Sequence, residues 1–266
     1  MERTKVKNIL LISLLTTSLL FTGFVPTGSR APEFRLKRVV IDAGHGGKDP
    51  GTVGYISKEK DVALKVALQV GKYVEEMLPG VEVIYTRKTD VFLELKERSN
   101  IANRNKADLF ISIHCNAATN RTVFGTETFV MGNKNMEANF DIVKRENAVI
   151  LLEDDYEENY EGFDPSSPES YMMFNLMQKA YFAGSISLAS KLEEDFTSRV
   201  NRHSRGVKQA PFYVLWTTSM PSVLVEIGFL SNAGEEKYLN SSDGQTYLSS
   251  AIFRSIKAYK EEIESM

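Results

Sequence analysis

The sequence predicts an α/β fold in which one sheet carries helices on both of its faces. Short apolar segments alternate along the chain with segments whose apolar residues recur at helical spacing, which is typical of strands joined by helices. The chain has 266 residues, and the roughly 235 that follow its N-terminal segment suit one large domain. Hydrophobic residues make up 42% and charged residues 25%, which excludes a disordered or collagen-like protein.

The first five elements follow from periodicity and turn residues. Residues 38–42 are a short apolar run before a glycine-rich loop, which predicts a strand. Residues 60–78 repeat apolar side chains at helical spacing and stop at a Pro-Gly pair. Residues 81–85 are strand-like, and residues 93–105 have helical periodicity. Residues 109–114 form an apolar run with the length of a buried strand.

The last five elements continue the alternation. Residues 123–131 alternate polar and apolar side chains, which indicates another strand. Residues 181–201 and 245–263 are amphipathic and predict helices. Residues 211–215 and 222–227 are short apolar segments that predict strands, and no internal repeat is present.

One long segment interrupts this alternation. Residues 132–180 hold 11 acidic residues against four basic ones. A connection of this length inside a compact domain is usually functional or disordered. We expect its first part, residues 136–152, to be helical and its middle, residues 153–168, to form an acidic loop.

Residues 1–31 have the pattern of a secretory signal peptide. Three basic residues precede an apolar run at 9–25, and small residues follow it. An uncleaved membrane anchor is the alternative, although an apolar run of about 17 residues is at the short limit for spanning a bilayer. The pattern therefore predicts an exported protein of the periplasm or cell wall, with no stable membrane insertion after cleavage.

Charge and cysteine content narrow the partners and the metal chemistry. The formal charge is −3, so no basic field indicates nucleic acid as a partner. A single Cys excludes an internal disulfide and a thiolate metal cluster. Any metal must therefore be held by the three His and by carboxylates.

Three titratable residues lie where predicted strands end, the place at which α/β sheets bind ligands. His45 follows the first strand, His114 ends the third, and Glu226 lies inside an apolar run. A buried imidazole is often only a hydrogen-bonded core residue. Two imidazoles and one carboxylate, however, form a catalytic zinc set that leaves a fourth position for water. The carboxylate ligand would be Glu59, at the start of the first helix.

Glu59 has competitors on the sequence alone. A carboxylate in the first turn of a helix is favoured by the helix dipole without any metal. Asp49 and Asp61 are the other local candidates. The third imidazole, His203, lies in a strongly basic stretch and is expected to be solvated.

Glu226 is the candidate general acid and base. A desolvated carboxyl with a raised pKa can take a proton from water and deliver it to a leaving nitrogen. The alternative is a buried ion pair with Arg98 or Arg87, because an unpaired carboxylate in a core is costly.

Seven segments of the chain match, in order, the motifs of one known family. They are residues 41–51, 59–61, 86–90, 97–103, 107–117, 205–214 and 225–232. On these motifs the chain resembles the zinc-dependent N-acetylmuramoyl-L-alanine amidases of bacterial cell walls. The resemblance runs from about residue 37 to residue 262.

The resemblance implies a fold, a reaction and a set of site residues. It implies a single catalytic domain at residues 37–264 around a twisted, mostly parallel six-stranded sheet. By this resemblance His45, Glu59 and His114 are the ligands of Zn²⁺, and Glu226 is the catalytic acid and base. The substrate is the amide that joins N-acetylmuramic acid to L-alanine in peptidoglycan.

Two residues after His114 qualify the resemblance. Cys115 stands where the family commonly has Ala, and a buried Cys behaves as a small hydrophobe, so we do not expect it to be a ligand. Asn116 either faces the substrate or makes a purely structural hydrogen bond. Arg87 and Arg98 match family positions and are expected to be structural.

The insertion adds a regulatory expectation. Family members that separate daughter cells, and are switched on by partner proteins, are similar in carrying a helical segment here that covers the active site. Glu146 matches best the Glu that such a segment can place on the zinc. We therefore expect residues 136–152 to be an autoinhibitory helix, and an activator with a basic surface to bind residues 132–180. A solvated acidic decoration is the alternative.

Two other functions remain open on the sequence. A zinc peptidase or deacylase acting on another amide would use the same ligands. A non-enzymatic wall-binding module would need a closed zinc site, with a fourth ligand from the main domain.

Overall fold

The computed structural model describes residues 35–171 and 180–266 of the chain. The predicted signal peptide at residues 1–31 lies outside the described residues. The insertion at residues 132–180 is described up to Tyr171 and at its last position. Within these ranges, no helix combines the length and the apolar character needed to cross a bilayer.

One mixed sheet forms the centre of the described part. Its strands are β1 Arg38–Ala43, β2 Glu82–Tyr85, β3 Leu109–Asn116, β4 Thr126–Val130, β5 Ser204–Gln209 and β6 Ser222–Phe229. They lie in the order β2-β1-β3-β6-β4-β5. Every neighbouring pair is parallel except β4 and β6, which are antiparallel. The predicted α/β class and the mostly parallel six-stranded sheet are confirmed.

Helices cover both faces of this sheet. They are α1 Glu59–Met77, α2 Leu95–Arg104, α3 Met136–Asn147, α4 Tyr156–Asn159, α5 Phe182–Ser198, α6 Tyr213–Trp216, α7 Ala233–Leu239 and α8 Ser242–Glu264. A 3₁₀ turn, Ala148–Leu152, continues α3. The four helices predicted from periodicity are confirmed, with ends that differ by a few residues.

The two-residue period of the strands divides the core into two layers. One set of strand residues, with Ile41, Ile113 and Val225 among them, packs against α1, α5 and α8. The alternate residues, such as Phe110 and Leu224, pack against α2, α3 and α6. The insertion helix α3 is therefore part of the cover on the second face.

The second face changes from apolar to polar toward the carboxyl ends of its strands. The polar side chains there include Asp42 on β1, Ser112 and His114 on β3, and Glu226 on β6, all of them buried. The register pairs Asp42 with Ser112 and His114 with Glu226. Residues paired across a sheet project from the same face, so the sheet itself gathers these groups.

One prediction in the last third of the chain is wrong, and two elements there were not predicted. Residues 211–215 do not form a strand; they enter the helical turn α6, and their apolar character reflects burial on the second face. The strand lies instead at β5, which begins at the end of the basic stretch around His203 and was not predicted. β5 is an edge strand with half-exposed or exposed residues, so it lacks the apolar run that identifies central strands. Helix α7 was not predicted; Asn232 caps it.

Candidate metal centre and active site

Four side chains bring one donor atom each to a common point. His45 Nε2 lies 3.1 Å from Glu59 Oε1 and 3.2 Å from Glu146 Oε2. His114 Nδ1 lies 3.1 Å and 3.0 Å from the same two oxygens. All four donors are buried and lie within 4.8 Å of one another. Donors around a tetrahedral zinc ion with bonds of about 2.0–2.1 Å are roughly 3.3 Å apart, so this spacing fits such a cation.

Local structure explains how distant parts of the chain reach this point. His45 follows β1, Glu59 opens α1, and His114 lies near the end of β3. The loop between the first two passes so close that a Cβ at Gly51 would lie 2.6 Å from His45 Cδ2. Gly51 also has a φ of +63°, which other residues adopt only with strain. Glu146 comes from the last turn of α3.

Hydrogen bonds select the tautomer of each imidazole. His45 Nδ1 lies 2.6 Å from Asp49 Oδ2, which accepts its proton and leaves the Nε2 lone pair for the common point. Ser112 Oγ donates to Asp42 Oδ2 and lies 3.1 Å from His114 Nε2. Because the Ser112 hydroxyl donates its hydrogen bond to Asp42, its oxygen can only accept a hydrogen bond from the N–H at His114 Nε2. His114 Nδ1 is then free to act as a ligand.

Unpartnered atoms also indicate a cation site. Within the described residues, His45 Nε2 and Glu146 Oε2 are buried and make no hydrogen bond of acceptable geometry. Buried polar atoms are nearly always hydrogen-bonded or bound to an ion or water. The residues present therefore fit a metal ion.

The charges of the cluster lead to the same conclusion. Burial alone would lower the pKa of both imidazoles, but the neighbouring carboxylates outweigh it. Glu59 raises the pKa of His45 well above its usual value, and Glu146 raises the pKa of His114 to about 9. Although burial opposes it, the pKa values of Glu59 and Glu146 are lowered. The two carboxylates thus require buried positive charge, which a divalent cation supplies when the imidazoles are neutral.

Two buried arginines brace the loop that carries His45. Arg98 donates to Asp42 Oδ1 at 2.8 Å and to the carbonyl oxygen of His45 at 2.7 Å. Arg87 donates to the carbonyl oxygen of Gly44 at 2.7 Å. Both arginines therefore have structural contacts, as expected, and the ion pair of either one with Glu226 is not formed.

Glu226 is buried beside this cluster with neither of its oxygens hydrogen-bonded to any described residue. Its register with His114 places both side chains on the same face of the sheet. Burial, followed by the charges of Glu146 and Glu59, raises the pKa of Glu226 well above its usual range. Such a carboxyl is available to exchange a proton.

The other candidates lie outside the cluster. Asp49 contacts His45 at Nδ1, the ring nitrogen that is not one of the four donors. Asp61 is exposed on α1. His203 is exposed, as expected for a solvated residue. The side chain of Cys115 belongs to the core layer on the opposite face of the sheet.

Asn116 makes hydrogen bonds that connect the sheet to the insertion. Its Nδ2 donates to Glu127 Oε1, and its Oδ1 accepts from Arg145 Nη2 at 2.9 Å. Arg145 also donates to Glu146 Oε1 at 2.9 Å. Neither Arg145 nor Glu127 was predicted from the sequence; the position of Arg145 directly before Glu146 was the available signal.

Comparisons with known proteins identify the family. The family model described as N-acetylmuramoyl-L-alanine amidase matches residues 39–258. The chain belongs to the N-acetylmuramoyl-L-alanine amidase family. This membership confirms the expected enzyme class, and the match covers all four donor residues and the whole sheet except Arg38.

Relatives agree with this assignment. The chain is 33% identical over 224 residues to the N-acetylmuramoyl-L-alanine amidase AmiA of Escherichia coli K12, covering 83% of this chain and 75% of AmiA. It is 32% identical over 240 residues to AmiC of Escherichia coli O6:H1, covering 88% of this chain. The chain spans only 55% of the length of that AmiC.

A solved structure supports the fold assignment. The CwlD amidase of Clostridioides difficile, determined in complex with the GerS lipoprotein, superposes with a TM-score of 0.63 at 26% identity. The superposition covers 85% of this chain and 99% of CwlD. An amidase with this fold can therefore bind a protein partner.

Proposed function

We propose that this chain is a zinc-dependent amidase that cleaves the bond between N-acetylmuramic acid and L-alanine in peptidoglycan, and that α3 blocks its active site at rest. The observation that carries the proposal is the convergence of the four donors beside Glu226. Family membership supports the choice of amide.

In the proposed site, His45, Glu59 and His114 would hold Zn²⁺. When bound there, the ion would supply Lewis-acid polarisation of the lactyl carbonyl and a lowered pKa of the attacking water. Asp49 and Ser112 keep the two imidazoles in the tautomers that ligation requires.

Glu226 moves the protons. Its carboxylate takes a proton from the attacking water, and the resulting carboxyl donates that proton to the departing alanine nitrogen. A pKa raised by burial suits this exchange, because the group then holds a proton more strongly than a solvated carboxylate does before passing it on.

Glu146 supports the proposal of a blocked resting state. Its Oε2 lies as close to the two imidazole nitrogens as Glu59 Oε1 does, so it takes the fourth corner that a catalytic site needs for water. The space left beside His45, His114 and Glu146 is about 10 Å³, the room of one water molecule. Substrate cannot enter until α3 moves.

Several contacts hold α3 in this position. Arg145 links Glu146 to Asn116, and Asn147 donates to the carbonyl oxygen of Pro211 at 3.0 Å. Ile142 and Val143 pack into the core layer of the second face. A preference of about 2.7 kcal/mol for the docked helix would keep 99% of molecules closed.

The outer surface of the insertion supports an activator of complementary charge. Of its acidic residues, Glu146 and Glu153 are buried and the others are exposed. They are Glu137, Asp141, Asp154, Asp155, Glu157, Glu158, Glu161, Asp164 and Glu169. A basic partner that binds residues 132–180 could draw α3 away from the metal.

Cellular location and domain limits complete the proposal. Residues 1–31 act as a signal peptide, residues 37–264 form the catalytic domain, and the enzyme works in the periplasm or cell wall. The basic and apolar pattern of the N-terminus supports export.

Product analysis of digested peptidoglycan separates this proposal from its two rivals. We expect a variant freed of its insertion to release whole stem peptides that begin with L-alanine and to leave the glycan chains intact. Cleavage within the stem peptide would indicate a peptidase. The absence of any cleavage by the zinc-loaded variant would indicate a binding module. A closed zinc site of that kind would need a fourth ligand from the main domain, whereas the fourth donor, Glu146, comes from the insertion.

Removal of Asp49 is expected to weaken metal binding. Without its carboxylate, His45 loses the hydrogen bond that orients its ring, and such losses typically cost 10- to 100-fold in metal affinity. Titration of Asp49→Ala with zinc in the presence of a competing chelator measures the effect. Asp61→Ala, on the exposed side of α1, should bind zinc like the unchanged protein; equal affinity of both variants would show that Asp49 does not support the ligand.

A further inference from the structure

A short loop beside the metal centre presents three large apolar side chains to solvent. Val53 is 63% exposed, Tyr55 is 56% exposed and Ile56 is 77% exposed. A contiguous group of exposed apolar side chains commonly marks an interaction site. The loop, residues 52–57, is therefore a candidate interaction surface separate from the catalytic residues.

The loop is held firmly, so the exposure is not a result of fraying. The Glu236 carboxylate accepts hydrogen bonds from the backbone N–H groups of Tyr55, Ile56 and Ser57 at 2.8–2.9 Å. The Ser57 hydroxyl donates to the same carboxylate at 2.8 Å. A Cβ at Gly54 would lie 2.2 Å from Glu236 Oε1, so the backbone rests directly on this anchor.

The loop is continuous with the candidate metal centre. The N–H of Thr52 donates to Glu59 Oε2 at 2.8 Å, and the N–H of Glu59 donates back to the carbonyl oxygen of Thr52 at 2.9 Å. A molecule that lies on the loop therefore lies next to a proposed zinc ligand.

A cation completes the surface. The exposed Arg121 lies over the ring of Tyr55, with Cζ 5.0 Å from its centroid, and donates to the Tyr55 hydroxyl. The surface thus combines an aromatic ring, two aliphatic side chains and a guanidinium with several hydrogen-bond donors. A pyranose ring has the complementary chemistry, with an apolar C–H face and a rim of hydroxyl and acetamido oxygens.

We propose that residues 53–56 and Arg121 form a glycan-binding subsite that holds the sugar chain of peptidoglycan while its lactyl amide reaches the metal centre. Tyr55 stacks on a sugar ring, Val53 and Ile56 contact its C–H face, and Arg121 donates to its oxygens. The subsite rests on the proposed function, because the glycan is the carrier of the scissile amide.

Binding to insoluble purified peptidoglycan tests the subsite. The measurement uses the zinc-loaded full chain with Glu226→Gln, so that the wall is not digested while bound protein is pelleted. Tyr55→Ala in this background should raise the Kd about three- to tenfold with an unchanged Tm, as expected for loss of one aromatic contact. Tyr247→Ala, a Tyr of matched exposure (55%) on α8, should leave the Kd unchanged.

Competition identifies the recognised part of the wall. Glycan chains freed of stem peptides should compete with the wall for binding to the Glu226→Gln protein that retains Tyr55. Free stem peptides should not compete. Unchanged wall binding by Tyr55→Ala, or competition by stem peptides alone, would overturn the subsite. Digestion of the wall by the Glu226→Gln protein would instead count against the proposed mechanism, so the two failures are distinguishable.

Discussion

Glu226→Gln should reduce amide hydrolysis by a factor of about 10² to 10⁴ while zinc content and Tm stay near those of the unchanged protein. The loss follows because an amide cannot carry the proton from water to the leaving nitrogen. The fold should tolerate the change, since Gln has nearly the same shape as Glu and its neutral amide suits a buried position whose surroundings raise the pKa of the carboxyl. Release of stem peptides from purified peptidoglycan, in a background lacking the insertion, measures the rate.

A matched control separates catalysis from burial. Glu193 is another buried carboxyl whose pKa is raised, chiefly by burial. It lies on the opposite face of the sheet, where it accepts hydrogen bonds from the hydroxyls of Thr128 and Ser204. Glu193→Gln should leave turnover per folded molecule nearly unchanged. If Glu226→Gln turns over like the unchanged protein, or if Glu193→Gln is equally slow, Glu226 is not the group that carries the proton.

Glu146→Ala should raise the basal rate by about 10- to 100-fold. The substitution removes the oxygen at the fourth corner and leaves Arg145 without its carboxylate partner, so the docked helix loses the contacts that join it to the metal centre. If the helix keeps 99% of molecules closed, opening it fully can raise the basal rate by at most about 100-fold. The initial rate on purified peptidoglycan, without any partner protein, is the measurement.

Glu137→Ala provides the control for this prediction. Glu137 lies in the first turn of the same helix and is exposed, so its loss changes the charge of α3 without altering the cluster. A rate for Glu146→Ala that equals or falls below that of Glu137→Ala, with zinc retained, would remove the basis for a blocking helix.

The sheet was largely predictable because its central strands are buried on both sides. β1, β3 and β6 are short apolar runs, and buried parallel strands have this composition. Edge strand β5 was not predictable by that rule, since solvent on its outer side allows Arg205 and Lys208 within it. Apolar side chains at the start of α6 were mistaken for a strand because burial, not strand geometry, selected them.

The metal cluster was predictable in part. His45 and His114 stand out as polar residues at strand ends, and the α/β architecture brings such ends together. Local spacing could not separate Glu59 from Asp49, because both lie between β1 and the first turn of α1. The distinction depends on the path of the loop through Gly51, which is a property of backbone conformation.

The docking of the insertion depends on contacts between residues far apart in sequence. Glu153 was expected to lie in a solvated acidic loop, yet it is buried and accepts hydrogen bonds from the Leu95 N–H and the Tyr160 hydroxyl. An acidic composition predicts that the carboxylates of a segment are exposed on average. It does not identify the particular carboxylate, here Glu153, that accepts a hydrogen bond from the first turn of a distant helix. The same limit applies to the link from Arg145 to Asn116.

Anomalous diffraction at the zinc absorption edge, from crystals of the protein grown with equimolar zinc, tests the central claim most directly. We expect one strong peak about 2.0–2.2 Å from His45 Nε2, Glu59 Oε1 and His114 Nδ1, with Glu226 on the same side of the sheet. A zinc peak held by other residues, or none at this cluster in crystals whose protein contains bound zinc, would contradict it.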